Sequence, residues 1–291
     1  MSALLYVAPI LSSFVIVVAF PQSNIPTEVK ETDDLTSQKP DDYWEHRSFL
    51  KYQNDLWPAK PGPNVYIPYE INKLEPEVEK ILHFYIDLFN NKSCIHWYPR
   101  STEADFVAFE PALDDWGNIE DTCYTDAIGR KGGRQFIRIT SLCLGLGPGD
   151  TREHWKGMPH EMMHALGFCH EQERRDSRCY LNFSKEGEKD DQSGIYKEKM
   201  TEIHFPYDFQ SIMHYYDPRL FVSRQGELVG SFGLEPSWQD WWKINYLYCG
   251  AQHICEVHKD MCDKHNKRLI QCYNEGRLDY HSSDKHIFNN Y

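Results

Sequence analysis

The chain has 291 residues, which is enough to bury a sizeable core in one large domain or two. It carries 44 acidic and 31 basic residues, and its formal net charge is −13. Because such a surface repels phosphate groups, the charge argues against nucleic acid and against an anionic membrane surface as partners.

The N-terminus is an apolar run. From Leu4 to Phe20 the residues are apolar apart from two serines, and Pro21 follows. A membrane-spanning helix needs about 20 apolar residues, and this run is slightly shorter and lies at the extreme N-terminus. We therefore predict a secretory signal peptide over 1–20, with a membrane anchor as the alternative. No second apolar run is long enough to span a membrane, so no stable membrane anchor is expected.

The cysteines and two sequence triplets are typical of an extracellular protein. Nine cysteines in an exported chain indicate disulfides with one thiol left over. Asn91 in Asn-Lys-Ser and Asn182 in Asn-Phe-Ser are acceptor triplets for N-glycosylation. We therefore predict a secreted glycoprotein.

The segment after the leader, 21–47, is polar and acidic and has neither a helical nor a strand period. Such a composition cannot bury enough apolar surface to fold alone. We predict that it is a pro-segment.

From residue 64 onward the pattern predicts regular elements. Residues 64–71 form a β-branched and aromatic run typical of a strand, and 75–91 place apolar residues at helical spacing. Three further strands are predicted in CIHWYPR, in DFVAFE and in GRKGGRQFIRIT. This order indicates an α+β fold whose N-terminal half is built on a mixed sheet.

The C-terminal half is less periodic. Helical stretches are predicted near 186–200 and 236–248. The last segment, 250–291, is a polar tail that contains three cysteines.

The stretch GMPHEMMHALGFCHEQERRD, 157–176, carries the chemistry. His160 and His164 are four residues apart, so on a helix both imidazoles lie on one face and can reach one metal ion. Glu161 lies beside the first histidine and can act as a general base without binding the metal. An amphipathic helix that is merely rich in histidine is the alternative.

A third ligand must come from beyond the helix. Gly167 allows the chain to turn in a left-handed conformation, which can bring His170 back to the same ion. Three neutral imidazoles leave open positions for water, as one catalytic Zn²⁺ requires. This combined pattern favours the metal site over the amphipathic helix.

The motif HEMMHALGFCHE resembles the extended zinc motif of the metzincin metalloproteases, and the continuation HEQERRD resembles the astacin family in particular. FPYDFQSIMHYYD at 205–217 and DWWKINYLYC resemble further astacin segments. The resemblance covers 48–249, one peptidase domain. It implies a metzincin-like α+β fold, with a twisted mixed sheet and active-site helix, a less regular C-terminal half, and the zinc cleft between them.

The resemblance also implies residue roles. Met213 would form the floor beneath the metal, and Tyr215 would bind zinc and stabilise the transition state. Cleavage after Arg47 would free Ser48 as a new N-terminus. Glu171 would then hold that N-terminus as a structural latch.

The same resemblance implies two disulfides, Cys94–Cys249 and Cys123–Cys143. Cys169 stands beside the third histidine, and a thiolate there could bind the ion. Because adjacent residues do not readily point the same way, we favour a disulfide between Cys169 and Cys179. The thiols Cys255, Cys262 and Cys272 would then form the odd set.

The chain departs from the astacin pattern in four places, one of which is the stretch SRCY after RRD, where the family is more acidic. The family's Phe-x-Gly-Asp motif, which blocks zinc in the zymogen, is absent from the pro-segment. Pro159 removes a helical hydrogen bond and either kinks the zinc helix or marks its start. An insertion over 145–157 would reshape the rim of the cleft.

These observations predict a secreted zinc-dependent endopeptidase that acts on extended polypeptides through water activated by zinc and Glu161. The alternative is a catalytically weak secreted binding protein on an astacin scaffold. The intact ligands and base favour the enzyme.

Overall fold

The computed structural model describes residues 56–58, 64–147, 155–189, 203–230 and 233–280, together with 284 and 287. The predicted signal peptide, the pro-segment and Ser48 lie outside these residues. Within them, no helix combines the length and the apolar character that a membrane span requires.

The first half contains a five-stranded sheet and one long helix, α1. Strand β1 is Val65–Ile71, and α1 is Pro76–Lys92 with its proline in the first turn, where the missing amide costs nothing. The remaining strands are β2 (Ile95–Pro99), β3 (Phe106–Glu110), β4 (Tyr124–Thr125) and β5 (Arg134–Arg138).

The sheet order is β2-β1-β3-β5-β4, and only β4 runs antiparallel. The apolar face of α1 is buried in the core beneath it: Val78, Ile81, Leu82, Tyr85, Ile86 and Phe89. The α+β class with a mixed sheet is therefore confirmed. The two-residue strand β4 was not predicted, because two residues carry no periodic signal.

The second half is less regular. Helix α2 spans Gly157–Ala165 and is followed by a 3₁₀ helix, Glu171–Glu173. The other elements are α3 (Ser177–Tyr180), β6 (Leu181–Phe183), β7 (Phe221–Ser223), α4 (Trp238–Cys249), α5 (Ile254–Val257) and α6 (Lys259–Asn274).

Helix α4 matches its predicted range and has a sequence-encoded start and end. Ser237 and Asp240 form a capping box, and Gly250 ends the helix in a left-handed conformation at φ 71°. The helix predicted near 186–200 is wrong over 186–189, which form a turn. The rest of that range lies outside the described residues.

The tail packs against the domain. Helix α6 buries Cys262, His265, Leu269 and Cys272 on one face. The Nδ1 atom of His265 lies within hydrogen-bond distance of the hydroxyl of Tyr180, and Nε of Arg268 donates to the carbonyl of Cys179. The tail is thus part of the hydrophobic core that surrounds α3.

Four disulfides close the fold. Cys94–Cys249 and Cys123–Cys143 are present as the resemblance implies. The prediction of Cys169–Cys179 is wrong, because Cys179 bonds to Cys272, and Cys255 bonds to Cys262. The reason is tertiary: α6 docks beside α3 and brings a thiol that lies 93 residues away in sequence. Cys169 is the free cysteine, buried at 5% exposure.

Candidate active site

Pro159 does not interrupt helix α2, because the helix begins only two residues before it. The proline lies in the first turn, where amide groups have no partner inside a helix. The amide of His160 makes the next helical bond, to the carbonyl of Lys156 at 3.1 Å. Pro159 therefore marks the start of the helix and leaves no helical hydrogen bond broken.

The Cys123–Cys143 disulfide packs on this helix start. A Cβ atom placed on Gly157 would lie 3.0 Å from Sγ of Cys123. The disulfide leaves little room for a side chain at the first residue of α2, which explains the glycine at this position.

The chain leaves α2 through Gly167, whose φ is +97°, a left-handed value that glycine adopts at low cost. Side chains distant in sequence bind the carbonyl groups at the helix end. Nε1 of Trp57 donates to Ala165 at 2.9 Å, and the hydroxyl of Tyr248 donates to Leu166 at 2.7 Å. These bonds hold the turn that brings His170 back towards the helix.

The three histidines converge. Nε2 of His170 lies 3.1 Å from Nε2 of His164 and 3.2 Å from Nε2 of His160. Ligands at 2.0–2.1 Å in tetrahedral geometry lie about 3.3–3.4 Å apart, so the three nitrogens fit zinc. Among the described residues, they are the one group of His, Cys, Asp and Glu side chains whose ligand atoms are gathered closely enough to hold an ion.

Backbone carbonyl groups position two of the three imidazole rings through Nδ1, the nitrogen opposite the ligand atom. Nδ1 of His160 lies 2.8 Å from the carbonyl of Ile212, and Nδ1 of His164 lies 2.7 Å from that of Phe168. An N–H at Nδ1 that donates to these oxygens leaves the lone pair of Nε2 directed at the common centre.

Burial keeps all three imidazoles neutral. Desolvation lowers the pKa of His160 to about 3 and that of His170 to about 4, and it holds the pKa of His164 well below its ordinary value. Neutral imidazole is the form that binds a metal ion, so the protonation state suits the site.

Glu161 lies in the same cleft and is only 6% exposed. Burial raises the pKa of its carboxyl to about 8, and a backbone hydrogen bond with Thr125 of β4 opposes that rise. The carboxyl is not part of the group of ligand atoms. The positive charge of a metal ion on the three histidines would favour the ionised carboxylate and lower this pKa again, and Glu161 could then accept a proton.

The segment after β6 supplies the other predicted residues. The ring of Tyr215 lies 4.4 Å from that of His170 and 6.0 Å from that of His160, measured between centroids. Met213 is 2% exposed in the core that includes α2, and its carbonyl accepts from the amide of Glu171. Both residues therefore lie in contact with the elements that carry the histidines.

Glu171 is buried and doubly paired. Its Oε2 accepts from Nζ of Lys243 at 2.9 Å, and its Oε1 accepts from Nη1 of Arg174 at 2.7 Å and from the amide of Asp208. Burial raises the pKa of Glu171, but the two cations outweigh burial and hold it at about 2. The predicted latch to Ser48 stays a prediction, because Ser48 is not described.

Cys169 does not take part in metal binding here. Burial, together with the charge of Glu173, raises the pKa of this thiol to about 12. The residue therefore stays a thiol at neutral pH in the metal-free protein, and its sulfur is not among the ligand atoms gathered at the histidines.

The site opens into a cleft of about 700 Å³. Its walls combine α2, the segment 212–217 and the Cys123–Cys143 disulfide. Asp121, Lys156 and Asp217 are the charged residues that line it besides Glu161. A cleft of this size suits a ligand that is larger than a single amino acid.

Three residues at the site were not singled out from the sequence. Thr125 supports Glu161, Gln172 accepts the amide hydrogen of Tyr215 at 3.1 Å, and Glu173 contacts His170. Gln172 and Glu173 lie inside the quoted motif, and a carboxylate three residues after a ligand histidine is a usable signal.

The two glycosylation triplets are accessible. Asn91 is exposed at the end of α1, and Asn182 is exposed in β6. Exposure is required for modification, and glycosylation itself stays a prediction.

Taken together, a three-histidine centre at the end of a helix, beside a carboxyl group in a cleft, is the type of site that zinc hydrolases use. The chain matches the family model described as Astacin, a peptidase family, over residues 49–229. Since this match covers more than half of the chain, the protein belongs to the astacin family. The resemblance seen in the motifs is confirmed.

Individual relatives agree with this assignment. The chain is 30% identical over 215 residues to zinc metalloproteinase nas-8 of Steinernema carpocapsae, covering 68% of this chain and 47% of that one. It is 29% identical over 169 residues to the astacin-like metalloendopeptidase of Mus musculus, covering 57% of this chain and 35% of that one. The chain thus spans between a third and a half of these relatives.

A solved structure shares the fold. High choriolytic enzyme 1, a hatching enzyme zinc-protease from Oryzias latipes, aligns with a TM-score of 0.52 and 26% identity. The alignment covers 67% of this chain and 94% of that one.

Proposed function

We propose that the protein is a secreted zinc-dependent endopeptidase that hydrolyses peptide bonds of extracellular proteins. The observation that carries the proposal is the convergence of the three Nε2 atoms of His160, His164 and His170 beside Glu161 in an open cleft. Family membership supports the reaction class.

A zinc ion held by the three imidazoles would act as a Lewis acid that polarises a carbonyl oxygen and makes water more acidic. The chain's own residues would do the rest. Glu161 would accept a proton from the attacking water and return it to the leaving amine nitrogen. Tyr215 would donate a hydrogen bond to the carbonyl oxygen of the scissile bond as negative charge develops there.

The chain's organisation follows from the same proposal. Residues 1–20 would direct export, 21–47 would be removed, and 48–249 would form the peptidase domain, with 250–291 as its C-terminal tail. The disulfides support export, because such bonds persist in oxidising compartments. Met213 would close the floor of the metal site, and Glu171 would hold the freed N-terminus.

Chelation is the direct test of the proposed function. The full chain, expressed with its own leader, treated briefly with trypsin and then with a trypsin inhibitor, is expected to cleave casein and to lose that activity in 1,10-phenanthroline. Because the ligands are neutral imidazoles that release zinc reversibly, added Zn²⁺ should restore cleavage. Casein turnover that survives complete zinc removal would refute the zinc dependence, and no turnover by the zinc-loaded protein would favour the binding-protein alternative.

Replacing Tyr215 with phenylalanine tests the second catalytic role. The loss of one donor to a developing oxyanion is expected to lower kcat about 10²–10³-fold and to leave KM within a few-fold. The measurement is steady-state hydrolysis of a quenched fluorescent peptide. Tyr273→Phe, on the exposed face of α6, is the matched control and should behave as wild type. Equal kcat in the two variants would remove Tyr215 from the mechanism.

A further inference from the structure

The three ligand rings are not held in the same way. Nδ1 of His160 and of His164 each face a backbone carbonyl, at 2.8 and 2.7 Å. Nδ1 of His170 instead lies 3.0 Å from Oε2 of Glu173. One ligand of the three therefore has a carboxyl group behind it in place of a backbone carbonyl.

The local backbone creates this pairing. His170 precedes the 3₁₀ helix Glu171–Glu173, and the amide of Glu173 donates to the carbonyl of His170 at 3.2 Å. This tight turn brings the side chain of the third following residue back over the imidazole. The side chains of His170 and Glu173 are 11% and 4% exposed, so the contact is screened little by water.

The two glutamates of this turn have different partners. Glu171 faces Lys243 and Arg174, which neutralise it. Glu173 faces the ring of His170. Glu173 is not itself a ligand, because the group of gathered ligand atoms consists of the three histidines.

A buried carboxylate at Nδ1 affects a metal ligand in two ways. It restrains the ring, and its negative charge makes the opposite nitrogen a better electron donor. In this structure Nδ1 of the neutral His170 ring and Oε2 of Glu173 lie 3.0 Å apart, close together but without the alignment of a well-formed hydrogen bond.

We propose that Glu173 is a positioning residue that holds His170 and strengthens its bond to zinc. The proposal rests on the zinc site of the proposed function, but it does not depend on peptidase activity. A carboxylate close to a bound dication lowers the net positive charge of the site. Glu173 would supply such a carboxylate without itself binding the metal.

The test is zinc affinity. Glu173→Gln keeps the shape of the side chain and removes its charge. In the full-length chain, competition with a chromophoric chelator should show zinc bound about 10–100-fold more weakly than in wild type, the usual effect of losing such a partner. Glu77→Gln, on the exposed start of α1, is the matched control and should bind zinc as wild type does.

Two further measurements separate positioning from a structural role. The visible spectrum of the Co²⁺-substituted protein should shift in Glu173→Gln, because it reports the ligand field, whereas the unfolding midpoint of the metal-free protein should change little. Glu173→Asp, which restores the charge at a greater distance, should recover part of the affinity. If the glutamine variant does not fold, the zinc affinity of Glu173→Asp still tests the proposal.

The outcomes distinguish the two proposals. If wild type and Glu173→Gln bind zinc equally and His170→Ala does not, the role of Glu173 is refuted and the zinc site stands. If wild type binds no zinc, the proposed site itself fails. Weaker binding by both Glu173 variants in a folded chain, with the glutamine variant weaker, supports the inference.

Discussion

Replacing Glu161 with glutamine is expected to lower kcat/KM for peptide hydrolysis about 10³–10⁴-fold, near the upper limit for the loss of a general base. The reason is positional. The carboxyl group is buried beside the three histidines in the cleft but outside the group of ligand atoms. Glutamine keeps the volume of the side chain and cannot accept the proton.

The measurement combines turnover with metal content. Hydrolysis of a fluorescent peptide reports activity, and elemental analysis reports zinc, which should equal that of wild type. Glu188→Gln, at an exposed carboxyl group that pairs with Arg178, is the control. A glutamine variant that hydrolyses at the wild-type rate would disprove the role of Glu161. A variant that has lost its zinc would show that Glu161 supports the metal instead.

Replacing Arg174 with methionine is expected to destabilise the fold by about 3–5 kcal/mol, the usual cost of breaking a buried ion pair. Arg174 is 1% exposed. Its guanidinium donates to both carboxylate oxygens of Asp176 at 2.9 Å, to Glu171 at 2.7 Å and to the carbonyl of Phe205 at 2.7 Å. Methionine fills much of the space but leaves two buried carboxylates short of a positive charge.

Arg178 offers a matched control on the same segment. Its guanidinium also makes a two-bond pair, with Glu188, but its side chain is 39% exposed. Exposed pairs contribute about 0–1 kcal/mol, so Arg178→Met should cost less than about 1 kcal/mol. Urea unfolding with the disulfides intact measures both variants. Equal losses would show that burial does not set the importance of the Arg174 network.

Apart from β4, the strands and the helix of the first half could be predicted, as could α4, because each carries its own signal. β1 is a β-branched and aromatic run, α1 has an apolar face at helical spacing, and α4 has Ser237 at its start and Gly250 at its end. Helix α6 was missed because its buried face contains two cysteines and a histidine, which do not read as apolar.

The cysteine prediction shows the limit of local reasoning. Cys169 and Cys179 are close in sequence, so a short loop was the simplest pairing. The docking of α6 against α3 instead pairs Cys179 with Cys272 and leaves Cys169 in the core. Local spacing could not predict this result, because the decisive contact joins segments 93 residues apart.

The metal centre could be predicted from the motif, because the spacing of its residues specifies the geometry of the site. Two histidines lie four positions apart on one helix face, and Gly167 permits the turn that returns His170. The groups that surround that centre depend instead on how distant segments of the chain pack together. Lys243 of α4 reaches Glu171, and the carbonyl of Ile212 reaches His160, from segments distant in sequence, and burial makes their charge and dipole effective.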